Sequence, residues 1–232
     1  MNSPGRPKGE YHSARHEGTP MNGETLHVYR VVAPVTNLGY GRRIALWVAG
    51  CSVGCPGCCS KDTWQAKGRV MGVTEVARLL ALLATRQAPI DGFTISGGEP
   101  TEAAFAICAL LRQVRTMKPD WDVLLYSGLP WRRLQNRFTD LLALCDAVIP
   151  EPFVRNLPST HPLFGSANQS IRCLTAKARA RYEGVSLAPM PLEASVSSSG
   201  VEFSGVPKGD GLARFTAALA RRGIRVTSAS WS

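Results

Sequence analysis

The chain contains no run of about 18 consecutive apolar residues, the length a membrane-spanning helix needs. It opens without a compact apolar stretch ahead of a small-residue cleavage site, so no secretory leader is expected. It has no second pair of cysteines beyond residue 59 to complete a four-thiolate structural zinc site. It has no block of like charge either. The net charge of +10 comes from Lys and Arg scattered along the chain, which reads as an ordinary solvated face. An acidic partner is permitted by that charge, but a nucleic-acid partner is not expected. No internal repeat is present. Together these absences predict a cytoplasmic protein with no membrane partner.

What is present suits one globular unit. At 232 residues, 44% hydrophobic and 19% charged, the chain can bury a sizeable core as one domain with small extensions. Residues 1–24 hold Gly, Pro, Ser, His and charge with almost no large apolar side chain, and are expected to be a flexible N-terminal tail. From there a strand–helix alternation begins. Ile44–Ala49 reads as a buried strand running straight into Cys51. Thr74 is placed to cap a helix whose Val76, Leu79, Leu80 and Leu83 follow the helical period. Gly92–Ser96 is a strand ending at Gly97-Gly98. A second helix starts from Thr101, with Ala104, Ile107, Cys108, Leu111 and Val114 on one face. Asp122–Tyr126 and Ala147–Ile149 are further strands, with a helical stretch over 130–144 between them.

Such alternation predicts an α/β fold with a parallel sheet and crossover helices, its chemistry at the C-terminal strand ends. The units are too few to close an eight-stranded barrel, so an open or partial barrel is expected. The tail reads differently. Val185–Leu187 and Val201–Phe203 are expected as short strands flanking a Ser-rich loop at 195–200. A helix at 211–222 and a last strand at 224–227 complete a small α+β extension. The expected division is a tail at 1–24, a core domain at 25–175 and a C-terminal accessory extension at 176–232.

Of seven cysteines, four (Cys51, Cys55, Cys58, Cys59) fall within one short loop, a clustering more typical of a metal site than of a disulfide framework. Cys108, Cys145 and Cys173 sit among apolar neighbours and read as buried small hydrophobes. Cys51, Cys55 and Cys58, spaced by three and then two residues, can wrap one iron–sulfur cube and leave its fourth iron open. Two other readings stand beside this one. A zinc ion would need strained use of the adjacent Cys58 and Cys59, and a Cys55-Pro-Gly-Cys58 thiol redox pair would leave Cys51 without a role.

The loop GCSVGCPGCCSKDTW, ending at Trp64, resembles the cluster loop of the radical S-adenosylmethionine superfamily, and more closely that of the activating enzymes of anaerobic ribonucleotide reductase. Ser96-Gly97-Gly98-Glu99-Pro100, Leu125-Tyr126-Ser127-Gly128, Pro152-Phe153-Val154 and Gly165-Ser166-Ala167-Asn168-Gln169 follow in that family's order. The chain departs from it at Cys59, where an aromatic is common, at Val53-Gly54, and in a longer C-terminal part.

The resemblance implies a partial (open) β/α barrel of the radical S-adenosylmethionine type. It implies a [4Fe-4S] cluster on Cys51, Cys55 and Cys58, with S-adenosyl-L-methionine chelating the open iron, cleaved by one electron to a radical that abstracts hydrogen. Gly97, Gly98, Glu99 and Pro100 would bind the methionine end. Tyr126, Ser127 and Asn168 are further candidate cofactor contacts, and Cys59 a bystander. The glycines are expected to let backbone approach the ligand. An external one-electron reductant of the flavodoxin or ferredoxin type is implied, and a glycyl radical protein as the substrate partner. The competing reading is a single-cluster enzyme acting directly on a peptide or small biosynthetic substrate.

Overall fold

A computed structural model of the chain describes residues 25–184, 190–197, 200–227 and 229. The expected tail at 1–24 and the expected strand Val185–Leu187 lie outside the described residues. The chain enters through β1 (Thr25–Val35), whose Leu26 and Val28 are buried between exposed neighbours. It turns back as β2 (Arg43–Val48), buried at every position. Burial on both faces is why this run reads as continuous rather than alternating, and it marks a central strand. β3 (Arg69–Gly72) returns to pair with the start of β1 and passes directly into α1 (Val73–Arg86).

β4 (Gly92–Gly97), α2 (Ala104–Met117) and β5 (Asp122–Tyr126) follow. Next come α3 (Trp131–Arg137), α4 (Thr139–Leu142) and β6 (Ala147–Ile149), then β7 (Arg172–Cys173) and α5 (Ala176–Tyr182). The strands form one seven-stranded sheet in the order β3-β1-β2-β4-β5-β6-β7. Its four central strands run parallel and its edges are antiparallel. The sheet is open, an α/β arrangement with no closure among the described residues. β8 (Glu193–Ser197) and β9 (Gly200–Ser204) form a separate antiparallel pair, followed by α6 (Gly211–Ala220).

Helices α1 and α2 cover one face of the sheet. Val76, Ala77, Leu80 and Ala84 of α1 and Ile107, Leu110, Leu111 and Val114 of α2 are buried against Ile44, Leu46, Phe93, Ile95 and Val123. Each large apolar side chain buried in this way contributes about 1.5–3 kcal/mol. At the N-terminal end of the parallel strands lies a charged plug. Arg43 is fully buried and donates to Thr94 Oγ1, to the carbonyls of Tyr40, Phe93 and Asp122, and to the Asp122 carboxylate. The Tyr182 hydroxyl donates to the same carboxylate at 2.9 Å and fastens α5 there. One end of the sheet is thus sealed, and the C-terminal strand ends are left for ligands.

Several expectations are corrected. Helix α1 is capped at Gly72, with no side-chain bond from Thr74, because β3 runs into the helix without a loop and brings Val73 into the core. Pro100–Ala103 is a 3-10 turn, so α2 begins at Ala104 rather than at Thr101. The stretch 130–144 is two helices, split where Phe138 leaves helical geometry at φ −131°. Ser195–Ser197 lie within β8, paired from Ser195↔Glu202 to Ser197↔Gly200, because the alternating Glu-Ala-Ser-Val-Ser run has the period of a strand. No strand forms at 224–227. The Ile224 amide instead stops α6 on the Leu219 carbonyl, behind Gly223 at φ +75°. Cys108 and Cys145 are buried as expected, and Cys173 only partly so.

Candidate functional site

The segment from Gly50 to Trp64 leaves the end of β2 and closes on itself through backbone. The Gly50 amide donates to the Thr63 carbonyl at 2.8 Å, and the Cys51 amide to that of Trp64 at 2.9 Å. The Lys61–Thr63 turn that offers these carbonyls is tied down twice, by the Thr63 hydroxyl on the Ser60 carbonyl and by the Tyr29 hydroxyl on Asp62. At the loop's start the Ser52 amide donates to Glu102 at 2.6 Å. Within the loop, Cys55-Pro56-Gly57-Cys58 forms a tight turn, with the Cys58 amide on the Cys55 carbonyl at 3.0 Å and Gly57 at φ +80°. Proline followed by a left-handed glycine is the pattern of a type II turn.

Cys58 Sγ accepts the Ser60 amide at 3.3 Å. Burial pushes the Cys51 and Cys55 thiols above their ordinary range, and the backbone amides of Gly54 and Val53 near Cys51 and of Phe153 near Cys55 pull the other way. Amides aimed at sulfur are what an electron-rich thiolate cluster requires. Among the described residues no three His, Cys, Asp or Glu side chains converge on a single-ion position. A cube takes one thiolate per iron, and three thiol side chains lining one cavity are donors of that chemistry. Burial pushes Cys59 up to about 11, which keeps it a neutral thiol.

Gly97 and Gly98 stand at the end of β4, but the close approach they permit is to protein backbone. A Cβ on Gly97 would lie 2.5 Å from the Val48 carbonyl oxygen, and one on Gly98 only 2.1 Å from that of Gly50. The Gly98 amide donates to Val48 at 2.8 Å and the Glu99 amide to Gly50 at 2.7 Å. The glycines therefore dock the strand end onto the entry of the cysteine loop.

Glu99 is 2% exposed. Its Oε1 accepts from the Thr101 amide (3.1 Å), the Thr101 hydroxyl (2.7 Å) and the Ser127 hydroxyl (2.9 Å), and its Oε2 from the Gly128 amide (2.7 Å). This carboxylate ties the end of β4 to the end of β5. Its Oε2 has one protein donor. Pro100 is buried in the turn behind it.

These parts face one cavity of about 480 Å³. Cys51, Cys55 and Cys58 line it together with Gly97, Gly98, Glu99, Tyr126 and Ser127. The Tyr126 hydroxyl is committed to the Leu163 carbonyl at 3.2 Å, and burial raises its pKa strongly. Pro100 and Asn168 are not brought to the wall. Asn168 is exposed and donates to the Pro152 carbonyl, and its neighbour Gln169 takes the lining position. The sequence reading missed Arg155 and Lys208, whose side chains line the cavity from distant parts of the chain, and Glu102, which braces the loop. Lys208 donates to the carbonyls of His161, at 2.6 Å, and Phe164, while desolvation lowers it to about 8. Only Glu102 carried a local signal, an acid just beyond the Gly-Gly-Glu-Pro turn.

Among the described residues no helix is long and apolar enough to cross a membrane. The family model described as "4Fe-4S single cluster domain" matches residues 37–172. Three curated relatives are each named anaerobic ribonucleoside-triphosphate reductase-activating protein. That of Enterobacteria phage T4 is 29% identical over 136 residues, 57% of this chain and 85% of its own length. That of Vibrio cholerae serotype O1 is 30% identical over 141 residues, covering 59% and 91%. That of Escherichia coli K12 is 26% identical over 140 residues, with the same coverage.

Proposed function

The chain belongs to the 4Fe-4S single cluster domain family, and from that premise we propose that it is a glycyl radical activase of the anaerobic ribonucleotide reductase type. It is a radical S-adenosylmethionine oxidoreductase whose cofactors are a [4Fe-4S] cluster and S-adenosyl-L-methionine. The finer reading is that Cys51, Cys55 and Cys58 hold three irons and leave the fourth for the amino acid end of S-adenosylmethionine. When bound, the cluster supplies one electron and S-adenosylmethionine, on reductive cleavage, the radical that abstracts a hydrogen atom.

The chain's own residues position and protect. The docked backbone of Gly97-Gly98 fixes the distance between the β4 end and the cysteine loop. Glu99 offers Oε2 to an ammonium. Ser127, in the same cavity wall, orients Glu99 through its hydroxyl. Leu38, Trp47, Val53 and Phe153 give the cavity apolar walls that exclude water. The division into a partial-barrel core at 25–175 and an extension at 176–232 belongs to this proposal, as do the flavodoxin- or ferredoxin-type reductant and the glycyl radical protein partner.

The observation that carries the reading is the cavity in which Cys51, Cys55 and Cys58 meet the Gly97–Glu99 strand end. The test is anaerobic reconstitution, followed by S-adenosylmethionine, a reductant and a candidate glycyl radical protein. About four irons per chain, 5′-deoxyadenosine, and a glycyl radical signal on the partner are expected. One equivalent of zinc with no iron–sulfur absorption would overturn the cluster reading. 5′-Deoxyadenosine without a partner radical would turn the choice toward a direct peptide or small-molecule substrate.

A further inference from the structure

A second segment of the chain, residues 151–157, meets the cysteine loop. Glu151 opens it at φ +82°, a left-handed conformation that no other described residue except glycine adopts. Such a conformation persists only where surrounding bonds fix it. Here the Glu151 amide donates to the Leu129 carbonyl (3.0 Å), its carbonyl accepts from the Gln169 side chain (2.9 Å), and its Oε1 accepts from the Trp131 amide (3.0 Å). Further on, the Val154 amide donates to the hydroxyl of buried Ser166 at 3.0 Å, and the Leu157 carbonyl accepts from the Ala167 amide at 2.7 Å. The backbone is therefore held on both sides of Arg155.

The segment brings a peptide N–H and a positive charge to the loop. The Phe153 amide lies near Cys55. The Arg155 guanidinium rests on the turn between Cys55 and Cys58. A Cβ on Gly57 would stand 2.6 Å from its Nε, 3.1 Å from its Cζ and 3.2 Å from its Nη2, so the missing side chain leaves the space that the guanidinium fills. Arg155 lines the same cavity as Cys51, Cys55 and Cys58. The two other cations of that wall are committed elsewhere, Arg30 to the Phe203 carbonyl and the face of Trp47, Lys208 to the carbonyls of His161 and Phe164. Arg155 has no hydrogen bond or ion pair among the described residues.

An iron–sulfur cluster that accepts an electron gains one negative charge, and its potential follows net charge, hydrogen bonds to sulfur and exposure to solvent. A guanidinium stays protonated in proteins, so its charge is constant. A fixed positive charge against the cysteine turn favours the reduced form. We propose that Arg155, seated on Gly57, sets the reduction potential of the cluster and so decides how readily an external one-electron donor reduces it. The donor is oxidised, the cluster is reduced, and no bond is made or broken. The proposal rests on the reading of Cys51, Cys55 and Cys58 as cluster ligands and adds to it the residue that tunes them. Arg155 is a positioning residue, acting through the cluster's charge and not on the reacting atoms.

The test is a redox titration of the anaerobically reconstituted full-length chain with dithionite and mediator dyes, before any S-adenosylmethionine is added. The electron paramagnetic resonance signal of the reduced cluster reads the oxidised-to-reduced ratio at each potential. Arg155→Gln removes the charge and keeps a polar side chain. At the potential that half-reduces the unmodified chain, its ratio is expected to rise about ten-fold, a midpoint about 59 mV lower for one electron. Arg155→Lys keeps the charge and should stay within about three-fold of the unmodified chain. Gly57→Ala puts a methyl group where the guanidinium lies. It should lower the potential in the same direction, and add little to Arg155→Gln in the double variant. A rise under about three-fold in Arg155→Gln overturns the proposal, as does a lysine variant that titrates like the glutamine one. Additive shifts in the double variant overturn the seating on Gly57. Iron uptake below about half in Arg155→Gln makes the residue one of assembly and overturns the proposal too. Weaker S-adenosylmethionine binding with an unmoved potential assigns Arg155 to the cofactor instead and does the same. No iron–sulfur absorption in the unmodified chain defeats the ligand reading itself, and the proposal with it.

Discussion

Replacing Gly98 by alanine places one methyl group where the structure has no room. The new Cβ would stand 2.1 Å from the Gly50 carbonyl oxygen, 2.8 Å from its carbon and 3.0 Å from the Thr63 oxygen. All three are backbone atoms, and none can swing aside as a side chain could. To clear them, the β4 end must withdraw from the cysteine loop, which breaks the 2.7 Å bond from the Glu99 amide to Gly50. Overpacking of this kind costs about 1–3 kcal/mol, and a buried amide left without its acceptor about 1–3 kcal/mol more. We therefore expect Gly98→Ala to destabilise the fold by about 2–6 kcal/mol, against a whole-domain stability of about 5–15 kcal/mol. Denaturant unfolding under anaerobic conditions measures the loss, and iron content after reconstitution measures its effect on the loop. Gly54→Ala is the comparison. It has a positive φ of +61°, which Gly98 does not, but nothing lies within 4 Å of the added carbon, so backbone strain of about 1–2 kcal/mol is all it should show. If Gly98→Ala loses under 1 kcal/mol and loads iron fully, the glycines do not dock the strand onto the loop.

Cys55→Ala should abolish cluster loading and S-adenosylmethionine cleavage, whereas Cys59→Ala, the neutral thiol, should retain most of both; loss of iron in Cys59→Ala alone sinks the ligand assignment. Asp122→Ala should cost about 3–5 kcal/mol in denaturant unfolding, because it strands the fully buried Arg43 guanidinium; a loss under 1 kcal/mol means the pair holds nothing. Asp146 supplies the pH test. Desolvation alone would raise its pKa, but bonds from the Val123 amide, Arg115 and Thr175 outweigh it and hold the carboxyl below its ordinary value. A depressed carboxyl stabilises the fold above the unfolded value of about 3.9 and loses that contribution as pH falls through the folded one. The stability gap between the unmodified chain and Asp146→Asn should thus be level from pH 7 to 5 and shrink below 4; a gap that widens in acid reverses the sign. Glu99→Gln should weaken S-adenosylmethionine binding while leaving iron content intact, read by equilibrium binding and absorption; unchanged affinity removes Glu99 from the cofactor site.

How much of this was legible in the residues depends on how local the cause is. β2 could be read because six adjacent positions share one burial environment, and the cysteine loop because its cysteines are neighbours in sequence. Gly97 and Gly98 could be read as a strand-end turn, but not their docking on the entry of the cysteine loop. Their crowding comes from Val48, Gly50 and Thr63, residues that only the sheet register brings alongside. Gly72 ends a strand and caps a helix in one residue, so Thr74, the better capping side chain, was preferred by composition and passed over by geometry. Arg155 and Lys208 left no trace in the sequence at all. Nothing near residue 208 indicates that its ammonium will meet the carbonyls of residues 161 and 164, across a fold that must exist before the contact has meaning.

The backbone closure of the segment from Gly50 to Trp64 bears on how the metal centre is assembled. Fixing a residue's backbone costs about 1–2 kcal/mol of conformational entropy. Here the bonds of Gly50 and Cys51 to Thr63 and Trp64, and the turn from Cys55 to Cys58, meet that demand with peptide groups alone. Iron and sulfide arriving at such a loop would find the thiols already gathered, so the affinity of the site reflects bond formation with little drawn off for ordering the chain. A protein built in this way should lose and regain its cluster without unfolding. That is a useful property for a site proposed to keep its fourth iron open to a ligand.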